Sequence, residues 1–165
     1  MTITPNIMKP TKENTLYLPI KQIHFDAILA GTKKEEYREI KDTTFKKYIE
    51  TWKEGGEEGY IFDEDKVSPD QELDIMMYNN GVYPFFPIEY KFLNLAVGYG
   101  KDRDTAVVEV TDISFELAKD KNGKTVRFFW DEENGFRADE NGNSAIWNIV
   151  YHLGNIVEKN LKSER

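Results

Sequence analysis

The sequence predicts an α+β fold in which short helices flank a small β-sheet that curls toward closure. Two amphipathic helical patterns lie within the first 53 residues, and strand-like segments separated by turn residues follow from residue 73 onward. Within residues 105–117 the apolar positions switch from even to odd numbers, which predicts a bend near Thr111 and Asp112. Bends of this kind let a short sheet curl toward a barrel.

The first part of the chain predicts a strand, a helix and a second strand. Residues 16–18 have a strand pattern, and Pro19 suits the first turn of a helix, where its missing N–H costs nothing. The apolar residues of 20–29 give that helix a broad apolar face. Gly31 follows it, where a left-handed C-terminal cap is expected. Residues 33–40 are then expected to be extended.

A second helix is predicted at residues 43–53. Its apolar residues recur at i, i+3, i+4 and i+7: Phe45, Tyr48, Ile49 and Trp52. Asp42 or Thr43 is a suitable N-cap, and the pair Gly55-Gly56 ends the pattern. This segment has the clearest helical period in the chain.

Five later strands are predicted from alternation and from the turn residues between them. They lie at residues 73–78, 88–97, 105–117, 124–130 and 146–153. In the last of them, four residues on one face are expected to face the core: Trp147, Ile149, Tyr151 and Leu153. The aromatic residues of 78–90 are more typical of a core than of a base-stacking surface.

Composition limits the classes of function. The chain has a net charge of -8 and no cysteine, so strong non-specific binding to polyanions, disulfides and thiolate zinc sites are not expected. No run of about 18 apolar residues occurs, so we expect no membrane partner. His24 and His152 lack metal-ligand spacing, and we expect neither a metal nor another cofactor. With no secretory leader evident, the expected location is the cytoplasm.

The negative charge is concentrated in one segment. Residues 54–74 contain nine acidic residues and one lysine, so the other residues hold 21 acidic and 21 basic side chains and are balanced. We therefore predict a flexible lead-in at residues 1–14 and a single domain at 15–160, with an acidic insertion at about 54–72. The insertion is itself a candidate interaction segment.

The strongest motif is the run from Gly31 to Arg38, which fits the pattern G-x-K-x-x-E-x-R. On a strand, Glu36 and Arg38 project from the same face. Arg38 offers a planar fork for a carboxylate, a phosphate or a base edge. Glu36 is suited either to hold that fork in place or to accept from ligand N–H groups. Lys33 is a candidate anion ligand or general base. The alternative is a surface ion pair between Glu36 and Arg38, worth under about 1 kcal/mol.

This motif and its surroundings resemble the ASCH family of PUA-like proteins. The resemblance extends to residues 16–20, to the helix at 25–30, to Gly98-Tyr99 before the strand at 107–113, and to residues 151–156. It implies a PUA-like small mixed β-barrel flanked by short helices. It also implies a cleft at Gly31, Lys33, Glu36 and Arg38 that binds RNA, a nucleotide or a modified nucleoside.

The resemblance also implies an alternative activity. Some members of the family are amidohydrolases acting on acylated cytidine, and they use the motif lysine, a threonine and a glutamate of a later strand. In this chain Glu36 stands in the place of that threonine, which removes the hydroxyl nucleophile. A small-molecule hydrolase would then use Lys33 as base, with Glu36 or Glu109 positioning water. The binding module is the favoured hypothesis.

Overall fold

The computed structural model describes residues 8–41, 43–68, 77, 80–119, 122–125, 129–133, 135–137 and 147–162. These residues group into two compact units. Unit 1 is drawn from residues 8–36, 89–112 and 152–162, and unit 2 from residues 37–88 and 113–151. The predicted single domain, its lead-in and its insertion stay predictions.

Within the described residues, one α-helix and nine strands are present. In chain order they are β1 (Thr15–Ile20), α1 (Gln22–Leu29), β2 (Glu35–Ile40), β3 (Thr51–Glu54), β4 (Glu57–Tyr60), β5 (Phe92–Val97), β6 (Thr105–Leu117), β7 (Phe129–Asp131), β8 (Gly135–Arg137) and β9 (Trp147–Asn160). No helix in this part of the chain is long and apolar enough to cross a membrane.

The fold is predominantly β, and the predicted α+β barrel with flanking helices is wrong. The main sheet has the strand order β1-β5-β6-β9-β2, with β1 parallel to β5 and β5 antiparallel to β6. β1 and β2 stand at its two edges, so the sheet is open. The β3–β4 and β7–β8 pairs form two separate two-stranded sheets.

The predicted helix at 43–53 is also wrong. Only residues Phe45–Lys47 form a short 3-10 helix, and β3 begins at Thr51. Gly55 and Gly56 both have positive φ, +59° and +83°, which is the two-residue turn that favours a hairpin. Aromatic and β-branched residues fit such a strand well. Pairing with β4, inside the acidic segment, therefore overrode the helical period.

Pro19 lies in β1 instead of beginning the helix. It stands opposite Ala96 of β5, and an edge strand tolerates its missing N–H. Helix α1 starts three residues later, and its buried residues are Phe25 and Ile28. These side chains, together with Leu16 and Leu18 of β1, belong to the core of unit 1.

Several other elements agree with the prediction. β6 spans the whole predicted segment, and the bend expected near Thr111 and Asp112 stays a prediction. In β9, Trp147, Ile149 and Tyr151 are buried as expected, whereas Leu153 is half-buried, and Asn148 and Val150 on the other face are buried as well. The predicted strand at 73–78 lies outside the described residues, apart from Met77.

The core of unit 2 is aromatic. The Phe85 ring stacks on Trp147 at 4.8 Å between centroids and meets Phe115 edge-on at 5.0 Å. Tyr83 contacts Phe115 at 5.7 Å, and its burial raises its pKa to about 12, with Glu116 adding to the effect. Tyr83 and Phe85 therefore lie in the core, as the sequence favoured, whereas Phe86 is exposed.

Candidate functional site

The candidate site begins at the chain reversal after α1. Gly31 has φ +78°, the left-handed conformation predicted for the cap. Its N–H donates to the carbonyl oxygen of Ile28, and the N–H groups of Thr32 and Lys33 both donate to that of Ala27. These bonds fold the backbone of Lys33 back onto the last turns of the helix.

The reversal brings Lys33 beside two partners within unit 1. Its Nζ lies 3.1 Å from Nδ1 of His24 and 3.5 Å from Oε2 of Glu36. An ammonium only donates, so Nδ1 of His24 has to be the unprotonated nitrogen of the ring. We call His24, Lys33 and Glu36 the lysine cluster. The Lys33 side chain is 22% exposed, so it is partly accessible from solvent.

Glu36 is one of the few buried acidic residues in the described part of the chain. It is 4% exposed and lies on the same face of β2 as the buried Ile40. Burying a carboxylate is costly unless a charged or hydrogen-bonding partner is close. The contact with Lys33 therefore both stabilises the carboxylate and fixes the position of the ammonium.

Arg38 belongs to unit 2 and is described with it. Its Nη1 donates to the carbonyl oxygen of Tyr37 at 2.7 Å. It also lines a depression of about 300 Å³ together with Tyr37, Glu39, Lys41 and Thr44. Burial raises the pKa of Tyr48, and the Arg38 guanidinium partly opposes that shift. A joint role for Arg38 with Lys33 and Glu36 stays a prediction.

Glu109, the second carboxylate considered for a hydrolase, lies on the other side of the sheet from Glu36. Its Oε1 accepts from the N–H of Asn155, and it packs beside Gly154. His152 is two residues from Gly154, so it lies on the same face of β9. Its Nδ1 atom is 3.3 Å from Oε1 of Glu35. Because Glu36 follows Glu35 on β2, it projects to the opposite face. Glu109 and Glu36 therefore do not meet in one site.

A separate concave surface lies on the outer face of unit 1. It has a volume of about 390 Å³ and includes Tyr17 of β1, Asn94 of β5 and Glu158 of β9. The Arg103 guanidinium lies 5.9 Å from the centre of the Tyr17 ring. The Asn94 side chain makes no hydrogen bond within the described residues. This surface is a second place where a ligand of unit 1 has to be considered.

The comparisons with known proteins identify no relative. No family model matches the sequence, and no match was found among curated proteins or solved structures. The resemblance to the ASCH family therefore stays a hypothesis that rests on the motif and its flanking residues.

Sequence reasoning missed His24 and gave it no role in the site. The signal was present in two features, the glycine cap after α1 and the spacing of His24 and Ala27, which lie three residues apart on one side of the helix. Among the described residues, no group of three histidine or acidic side chains converges in a way that could hold a metal ion.

Proposed function

We propose that this protein is an ASCH-type binding module of the cytoplasm that holds RNA, a nucleotide or a modified nucleoside at Lys33. The observation that carries the proposal is the lysine cluster. An exposed lysine samples many rotamers, whereas Lys33 is held between His24 and a buried carboxylate. Ordering it in advance lowers the entropy lost when a ligand binds.

The chemistry of the cluster favours an oxygen-bearing ligand. An ammonium has three N–H donors, and the two contacts with His24 and Glu36 leave one directed elsewhere. Phosphate oxygens and base carbonyl oxygens are suitable acceptors for it. In this proposal Glu36, because it is only 4% exposed, acts on Lys33 more than on the ligand.

The same geometry gives less support to the hydrolase alternative. A general base has to accept a proton, yet the nearest neighbours of the Lys33 Nζ atom are an ion-paired carboxylate and a ring nitrogen to which it donates. Glu109 lies on the opposite side of the sheet, so it supplies no second carboxylate there. Turnover of acylated cytidine by the folded wild-type protein, lost in Lys33→Met, would favour the hydrolase instead.

The test is a binding titration with a defined panel of probes. The panel consists of mononucleotides, acylated cytidine and a short single-stranded RNA of mixed sequence. We expect Lys33→Met to weaken binding by about tenfold or more, and Asn94→Ala to leave it unchanged. The reverse pattern would assign the ligand to the outer face of unit 1 and would overturn the proposal.

A further inference from the structure

The β3–β4 hairpin of unit 2 exposes apolar side chains on one face. Trp52 stands opposite Gly59 in the β3–β4 register, and it is 45% exposed. The N–H of Ile61 donates to the carbonyl oxygen of Glu50, so the same pairing continues one step beyond the hairpin. Side chains opposite one another lie on the same face. Ile61, 41% exposed, therefore shares this face with Trp52.

Phe86 lies next to this hairpin on a third segment, which pairs both with residues 48–50 and with the extension of β4 through the Phe62–Phe85 bridge. Ile49 bridges to Pro87 in antiparallel fashion, and the N–H of Glu50 donates to the carbonyl oxygen of Phe86 at 2.8 Å. Phe86 is 41% exposed, whereas Ile49, on the other face, is fully buried. We call Glu50, Trp52, Ile61 and Phe86 the aromatic patch.

The Trp52 ring is placed by the residue opposite it. A Cβ atom at Gly59 would lie 2.9 Å from the ring, so the indole rests directly on the backbone of β4. One face of the Trp52 ring is covered by the backbone at Gly59, and the exposed part of the ring presents apolar surface to water. Exposed apolar clusters of this kind commonly mark sites of interaction.

The charges around the aromatic patch are negative. Glu50 lies within it and makes no ion pair with any described residue. Glu54, Glu57, Glu64 and Asp65 are exposed nearby in the chain. Among the cations nearby in the chain, Lys46 and Lys53 both contact Glu58 at 3.9 Å and Lys66 donates to the carbonyl oxygen of Tyr83, whereas the exposed Lys47 lies three residues from Glu50. The Glu50 carboxylate, which lies near the exposed rings of Trp52 and Phe86, is therefore available to pair with a cation of another molecule.

We infer that the aromatic patch binds a basic segment of a partner protein that presents arginine between apolar residues. A guanidinium is suited both to pair with Glu50 and to stack on Trp52 or Phe86. The acidic residues around the patch would speed the encounter with such a segment. A symmetric contact with a second copy would bring two Glu50 carboxylates together, which like-charge repulsion disfavours.

The inference is tested with two synthetic peptides, one of alternating leucine and arginine, the other with glutamate in place of arginine. Glu50→Gln and Trp52→Thr remove the charge and the ring, and Glu13→Gln and Tyr99→Thr are matched exposed controls in unit 1. We expect only the arginine peptide to bind, with affinity reduced about tenfold in each patch variant and unchanged in the controls. Thermal melting confirms that each variant is folded.

Three results would overturn the inference. The two peptides could bind equally, or the control variants could weaken binding as much as the patch variants. In the third, the wild-type protein sediments as a dimer, Trp52→Thr dissociates that dimer, and the arginine peptide does not bind. This result would assign the patch to a contact with a second copy. Loss of nucleotide binding at Lys33 has no bearing on any of these outcomes.

Discussion

The Nζ atom of Lys33 lies 3.1 Å from the Nδ1 atom of His24. This contact connects the helix to the motif that follows it, and it brings the ammonium within hydrogen-bond distance of the imidazole. Since the ammonium is the donor, the neutral His24 ring has to carry its proton on Nε2. The structure of the lysine cluster can therefore be tested independently of any ligand.

The first prediction concerns that tautomer. Nitrogen chemical shifts of the imidazole at neutral pH should show His24 as the Nε2–H form in the wild-type protein. Lys33→Met removes the donor, so the ring should then become a mixture of both forms. His152→Gln, on the other face of the sheet, is the control and should leave the His24 signals in place. A dominant Nδ1–H form in the wild type would contradict the contact.

The second prediction concerns a second buried carboxylate of unit 1, that of Asp104. Asp104 is 1% exposed and accepts from Nε2 of Gln22 and from the N–H of Lys162, both at 2.8 Å. Asp104→Ala would leave both donors without this acceptor, and we expect the free energy of unfolding to fall by roughly 2–4 kcal/mol. Denaturant unfolding measures it. The exposed Asp112→Ala should change it by under about 0.5 kcal/mol, and equal losses would refute the role of Asp104.

The elements around the lysine cluster show how much of the fold and of the candidate site could be predicted from the sequence. The Gly31 cap and the extent of β6 depend on local backbone preference, and both were predicted correctly. The prediction of a helix at 43–53 was wrong, because this segment pairs instead with β4 and with residues 84–88. Those partners lie farther along the chain, where a local pattern carries no information about them. Lys33 and Glu36 were singled out from their spacing, and their role in binding stays a prediction. His24 needed the three-dimensional path of the reversal after α1.

The third prediction concerns alkaline pH. Burial raises the pKa of Tyr83 to about 12, with the Glu116 charge adding to the effect. Above the ordinary tyrosine pKa of 10.0, the unfolded chain loses a proton that the folded protein keeps. The stabilisation from this residue is therefore present below pH 10 and is lost as pH rises toward about 12, by roughly 1–2 kcal/mol. Tyr83→Phe should flatten this slope in unfolding measured against pH; Tyr99→Phe, at an exposed position, should not.

The fourth prediction concerns the charge of Arg38. The guanidinium favours the phenolate of Tyr48 and so lowers its pKa against the larger effect of burial. Arg38→Met removes that cation, so the pKa of Tyr48 should rise further. Ultraviolet titration of the tyrosines, with Tyr48→Phe to assign the transition, measures the change. Lys47→Met is the control for loss of a cation nearby in sequence. A lower Tyr48 pKa in Arg38→Met would contradict the described arrangement.

The most direct test of the central claim compares two neighbouring lysines. Lys34 is exposed and adjacent to Lys33, so Lys34→Met removes the same charge without disturbing the lysine cluster. In titrations with mononucleotides and short single-stranded RNA, we predict that Lys33→Met weakens binding by about tenfold or more, while Lys34→Met changes it by less than about twofold. Equal effects of the two substitutions, in proteins with unchanged melting temperatures, would contradict a ligand held at Lys33.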